Sequence, residues 1–126
     1  MNGYKGKLND GREIYIPTWA VDVALENVTL AGKYLGIENV INIAELNTAA
    51  VIVAIMSAKE PKLTVGLIKH FVCTVRIEGS KILPETLNEM FEGDLKSIAE
   101  IFSHVVHSQY SDFFELGLAK ENSQDS

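Results

Sequence analysis

Glu100, His104 and His107 are spaced i, i+4 and i+7, so on a helix all three side chains would face one way. Imidazole and carboxylate together suggest metal binding or proton transfer. A metal site, however, needs three or four converging ligands, usually drawn from more than one element. One helix cannot supply that, and the trio reads as a polar strip on an amphipathic helix. His70 and Cys73 stand one helical turn apart. A nucleophile–base pair would need direct contact and a third group to orient the base, and no third residue can be assigned. Gly3, Gly6 and Gly11 are too scattered to cradle a phosphate, and no Lys-Ser/Thr follows them at a strand-to-helix turn. Glu85 and Glu89 are paired carboxylates on a solvated helix face. The chain therefore reads as a binding module, not an enzyme, with no catalytic residue, no cofactor and no metal.

The better functional candidates lie near the end of the chain, where an apolar helical stripe runs into Tyr110, Phe113, Phe114, Leu116 and Leu118. Two readings stay open. The rings could fold back and close the core, or they could form an exposed anchor for a protein partner, where buried aromatics contribute much of the binding energy.

The elements that must position these residues follow from pattern. The 126-residue chain is 47% hydrophobic and 22% charged, which places it among folded globular proteins and not disordered ones. Its net charge of −6, with no basic run, argues against a nucleic-acid partner, because phosphate binding rests on clustered Lys and Arg. The single cysteine, Cys73, suits a reducing compartment. No secretory signal is visible at the N-terminus, and the longest apolar run, residues 49–56, is too short to span a bilayer. A soluble, intracellular protein without a membrane partner is expected.

Asn9-Asp10-Gly11 separates two strand-like runs, 5–8 and 12–16, which predicts a β-hairpin within residues 1–16. Thr18 is the expected cap of a first helix ending at Gly36, with Val21, Leu25, Val28 and Leu35 on its apolar face and Trp19, Val23, Leu30 and Tyr34 broadening it. The β-branching of AAVIVAIM allows a buried strand and periodicity does not decide, but its surroundings, with Asn47-Thr48 as a cap, favour a central helix from Ala49. Thr64 caps the next, whose face is Leu67, Ile68, Phe71, Val72 and Val75. Gly79 ends it or turns a short extended piece. Pro84-Glu85 opens a short helix, and Asp94 caps a long one carrying Leu95, Ile98, Ile101, Phe102, Val105 and Val106. The expected fold is mainly α: about five helices with a small N-terminal β-hairpin in one domain, residues 1–118, and a disordered polar tail at 119–126.

The strand-turn-strand opening DGREIYIPT, the run of helices, and the closing stretch FEGDLKSIAEIFSHVVHSQYSDFFELGL with its polar tail resemble the tail assembly chaperones of long-tailed bacteriophages. The resemblance spans most of the chain and is one of architecture, without a signature residue. It implies a protein that transiently coats the tape measure protein, keeps its apolar stripes soluble while tail tube subunits polymerise around it, and then leaves. It also implies host-cytoplasmic action, absence from the mature virion, late expression, and copies self-associating along the partner. In many members ribosomal slippage appends a second domain, and Leu116-Gly117-Leu118 is compatible with a slippery codon run. A phage baseplate assembly factor would share the hairpin and helical body, and a helical adaptor from outside phage biology would look much the same.

Overall fold

The computed structural model describes residues 3–125, with the side chains of the last helix described through Leu116. The chain opens with the expected hairpin: β1 (Gly3–Lys7) and β2 (Glu13–Pro17) pair antiparallel, Lys5 opposite Tyr15 and Lys7 opposite Glu13. Leu8 N–H donates to Arg12 O and Gly11 N–H to Leu8 O, both at 2.9 Å. Gly11 takes φ +96°, a conformation that a side chain would resist. Ile14 and Ile16 point into the core, while Glu13 and Tyr15 face outward.

Two further strands extend this sheet. β3 (Arg76–Ile77) pairs with β2, and β4 (Ser80–Lys81) with β3, giving the order β1-β2-β3-β4. Glu78 and Gly79 both have positive φ (48° and 81°) in the two-residue turn between β3 and β4, as a tight hairpin requires. The extended piece around Gly79 is thus a second hairpin docked on the first.

Six helices are present among the described residues: α1 (Val21–Leu35), α2 (Ile37–Ala44), α3 (Thr48–Met56), α4 (Pro61–Val72), α5 (Leu87–Met90) and α6 (Leu95–Asp125). Five are the expected ones in the expected order, and α2 is an additional helix between Gly36 and Asn47. The polar tail expected at 119–126 lies outside the described side chains. Asn47 caps α3 as expected, its side chain accepting from Ala50 N–H. Asp94 caps α6, accepting from Ser97 N–H at 3.3 Å.

Two expected caps are corrected. Thr18 does not cap α1; helix geometry begins after Ala20. The amide of Gln109 holds the 17–19 backbone instead, accepting from Trp19 N–H at 3.1 Å and donating to Pro17 O at 2.9 Å. Thr64 does not cap α4, because Pro61 takes the first helical position, where its missing N–H costs nothing. Thr64 is already interior to the helix, its N–H bonded to Glu60 O at 3.0 Å.

Two apolar faces are also corrected. α1 buries Asn27, Ala31 and Leu35, whereas Val21, Val23, Leu25 and Leu30 are exposed. α3 is not central: Ala50, Val51 and Ala54 face inward, and Ile52, Val53, Ile55 and Met56 face out. Leu95, first in α6, also points to solvent.

The core is built around α6, which packs against α2, α3, α4 and β2. Ile101, Phe102, Val105 and Val106 are wholly buried in it. They meet the expected face of α4, where Phe71 lies 5.2 Å from the Phe102 ring and edge-on to Trp19 at 5.0 Å. Such offset aromatic pairs add about 0.5–1.5 kcal/mol each beyond the area they bury.

Candidate partner-binding surfaces

The polar strip of α6 fastens the fold together. Glu100 is buried, and its Oε1 accepts from Asn9 N–H at 2.7 Å, anchoring the β1–β2 loop. His104 Nδ1 lies 2.9 Å from the Tyr4 hydroxyl, and His107 Nδ1 lies 2.8 Å from Ala44 O at the end of α2. Burial, aided by the neighbouring His107, holds the His104 pKa below its ordinary value. Tyr4 is raised, also by burial.

At the hairpin tip the guanidinium of Arg12 donates to Ser97 Oγ at 2.6 Å and pairs with Asp94 and Asp10. The hydrogen bond from Arg12 depresses the Asp10 carboxyl, and the one from Ser97 depresses Asp94. Through these contacts one face of α6 clamps the hairpin and α2.

Among the described residues no three His, Cys, Asp or Glu side chains are grouped to hold a metal ion. Cys73 sits half-buried at the end of α4 with its thiol pKa raised by burial and by the Glu85 carboxylate, the opposite of an activated nucleophile. His70 is exposed.

The aromatic end divides. Tyr110 is buried, its hydroxyl donating to Ala24 O at 2.7 Å and its ring 6.1 Å from Trp19, so it closes the core against α1. Phe114 is half-buried, 5.9 Å from the Tyr110 ring. Phe113 and Leu116 are 57% and 70% exposed, which makes them available to a partner. Leu118 lies outside the described side chains.

A surface not foreseen from the sequence is an apolar groove of about 710 Å³ between α3, α4, α5 and α6. Its floor is the buried set Val51, Ile68, Leu87, Phe91 and Ala99. Its rim is exposed and aliphatic: Ile52, Ile55, Met56, Val65 and Leu95, with Lys69, Lys96 and Glu92 at the edges. The signal was present in AAVIVAIM, a helix apolar on all sides. Such a helix is ordinarily buried all round. Here only one side meets the core, and the other becomes the groove wall. A contiguous exposed apolar surface of this kind marks an interaction site.

Among the described residues no helix is long and apolar enough to cross a membrane. No curated protein and no solved structure gives a significant match to the chain. Residues 10–120 match the family described as phage tail assembly chaperone protein, TAC, a span that takes in β2, β3 and β4, the groove and the exposed Phe113 and Leu116. The chain belongs to the phage tail assembly chaperone family.

Proposed function

We propose that this chaperone acts in the host cytoplasm on the tape measure protein, binding amphipathic helical segments of it in the α3–α6 groove. There it keeps them soluble and helps recruit tail tube subunits, and it leaves before the virion is complete. The observation that carries the reading is the groove itself: aliphatic rim residues on α3, α4 and α6, exposed around a preformed apolar floor. This is the geometry in which a partner helix lays its i, i+3, i+4, i+7 stripe into a cleft. Few charged groups line it, so contact is hydrophobic and tolerant of sequence, as a chaperone for a long repetitive partner needs. Phe113 and Leu116, on the far part of α6, add a second exposed apolar contact to the same partner.

The test is co-expression with the tape measure protein, scoring the soluble partner that co-purifies. Ile55→Glu with Leu95→Glu alters two exposed rim residues and should preserve the circular dichroism spectrum. It should lower co-purified partner by about tenfold, equivalent to 1.4 kcal/mol. Full solubilisation by that folded variant would refute the groove assignment, and no solubilisation by the unaltered chain would refute the tape measure partner.

A further inference from the structure

The outer face of the sheet carries a second, chemically distinct surface. Lys5 stands opposite Tyr15, Tyr15 opposite Arg76, and Arg76 opposite Lys81. Directly opposed residues share a face, so these four side chains form one row across all four strands. With strands about 4.8 Å apart, the row is about 14 Å long. In a protein of net charge −6 it concentrates three cations. Among the described residues, neither Lys5, Arg76 nor Lys81 has a carboxylate within salt-bridge distance, the ion pairs of Arg12 lying at the hairpin tip.

The row is also shaped. The Tyr15 ring lies over Gly3, so closely that a Cβ there would stand 2.2 Å from the phenol oxygen. A side chain at that position would push the ring off the sheet, where it leans over β1 beside Lys5. A concavity of about 720 Å³ opens at the same place, lined by Lys5, Tyr15 and Arg76. Lys7, Glu13 and Glu78 line it too, with Lys7 directly opposite Glu13.

We infer that this face docks a short acidic segment of a partner protein, laid across the strands along the Lys5–Tyr15–Arg76–Lys81 row. An extended chain advances about 6.8 Å for every two residues, so carboxylates at alternate positions of a five-residue stretch match the length of the row. Beside the row Glu78 and Glu13, the latter opposite Lys7, limit how far negative charge can extend. A local acidic stretch fits that boundary, whereas the unbroken phosphates of a nucleic acid would run onto Glu13 and Glu78. Desolvation of the flat Tyr15 ring adds apolar contact to the charge pairing. This surface is separate from the α3–α6 groove and stands or falls without it.

The test uses a short fluorescein-labelled peptide of alternating Glu and Gly, followed by fluorescence anisotropy at low and at physiological salt. Binding should weaken by about tenfold or more in Lys5→Gln/Arg76→Gln/Lys81→Gln, three modest pairings removed together. It should persist in Lys33→Gln/Lys59→Gln/Lys62→Gln, which carries the same net charge. Equal loss in both variants would overturn the inference, as would no binding by the unaltered protein at low salt. A labelled single-stranded oligonucleotide that binds through the same row more tightly than the peptide would overturn it in favour of nucleic acid. Should the first variant fail to fold, amide chemical shifts of the unaltered protein decide. Peptide-induced shifts confined to β1–β4 support the row, and shifts centred elsewhere refute it.

Discussion

The Tyr4 hydroxyl lies 2.9 Å from Nδ1 of His104, joining the edge strand of the sheet to the first third of α6 across 100 residues of sequence. The contact places an ionisable ring where the fold favours its neutral form, since burial and His107 both lower its pKa. A histidine with a depressed folded pKa binds fewer protons folded than unfolded over the interval between the two values. Its stabilising effect is therefore present above about pH 6.5, the ordinary histidine value, and is lost as pH falls below it. Urea midpoints measured at pH 7.5 and 5.5 should drop in the native protein, and drop less in His104→Gln. Equal pH dependence in both would show that His104 is not the group responsible.

Glu100 holds the β1–β2 loop by accepting from Asn9 N–H. Glu100→Ala removes a charge-assisted acceptor and leaves a partly buried N–H unpaired, a loss of about 1.5–3 kcal/mol. Glu100→Gln retains an acceptor oxygen and should lose about half of that. Hydrogen exchange at the Asn9 amide reports the same event locally: faster in the Ala variant, near native in the Gln variant. Unchanged exchange in both would remove Glu100 from its fastening role.

Thr64 is buried inside α4, and its Oγ1 has no hydrogen-bond partner among the described residues. Burying a lone hydroxyl costs free energy that an isosteric methyl does not. Thr64→Val should raise stability by about 1 kcal/mol, seen as a higher urea midpoint at unchanged slope. A lower midpoint would mean that the hydroxyl is satisfied in solution.

Tyr110 and Phe113 sit three residues apart on α6 but face opposite environments. Tyr110→Phe gives up the bond to Ala24 O and should cost about 1 kcal/mol of stability without altering partner binding. Phe113→Ala should change stability by less than about 0.5 kcal/mol, as exposed substitutions do, while reducing co-purified tape measure protein. The reverse pattern would place the contact of α6 with its partner elsewhere.

Much of this architecture was written locally. Asp10-Gly11 set the first hairpin because a tight loop needs a residue that tolerates positive φ. Asn47 and Asp94 placed the starts of α3 and α6 because a short side-chain oxygen satisfies a free helix N–H wherever it occurs. The buried faces of α4 and α6 were legible because each carries one dominant apolar stripe. The order of elements, with the closing aromatic run, was enough to suggest the family that the match over residues 10–120 establishes.

What the sequence left undecided were relationships between distant segments. The two-residue strands β3 and β4 carry no period of their own and exist because β2 offers them an edge. In α1 and α3, apolar residues occupy several sides, so periodicity alone could not fix the rotation of either helix. Packing of α1 against α2 and α4, and of α3 against α2 and α6, chose which side to bury, and left Ile52, Ile55 and Met56 to form the groove wall. Thr18 and Thr64 looked like caps, but Gln109, some 90 residues away, and Pro61, at the first position of α4, set the helix starts instead. Local chemistry determined the elements. Which faces they bury, and therefore which surfaces remain for partners, was decided by the competition among them for one core.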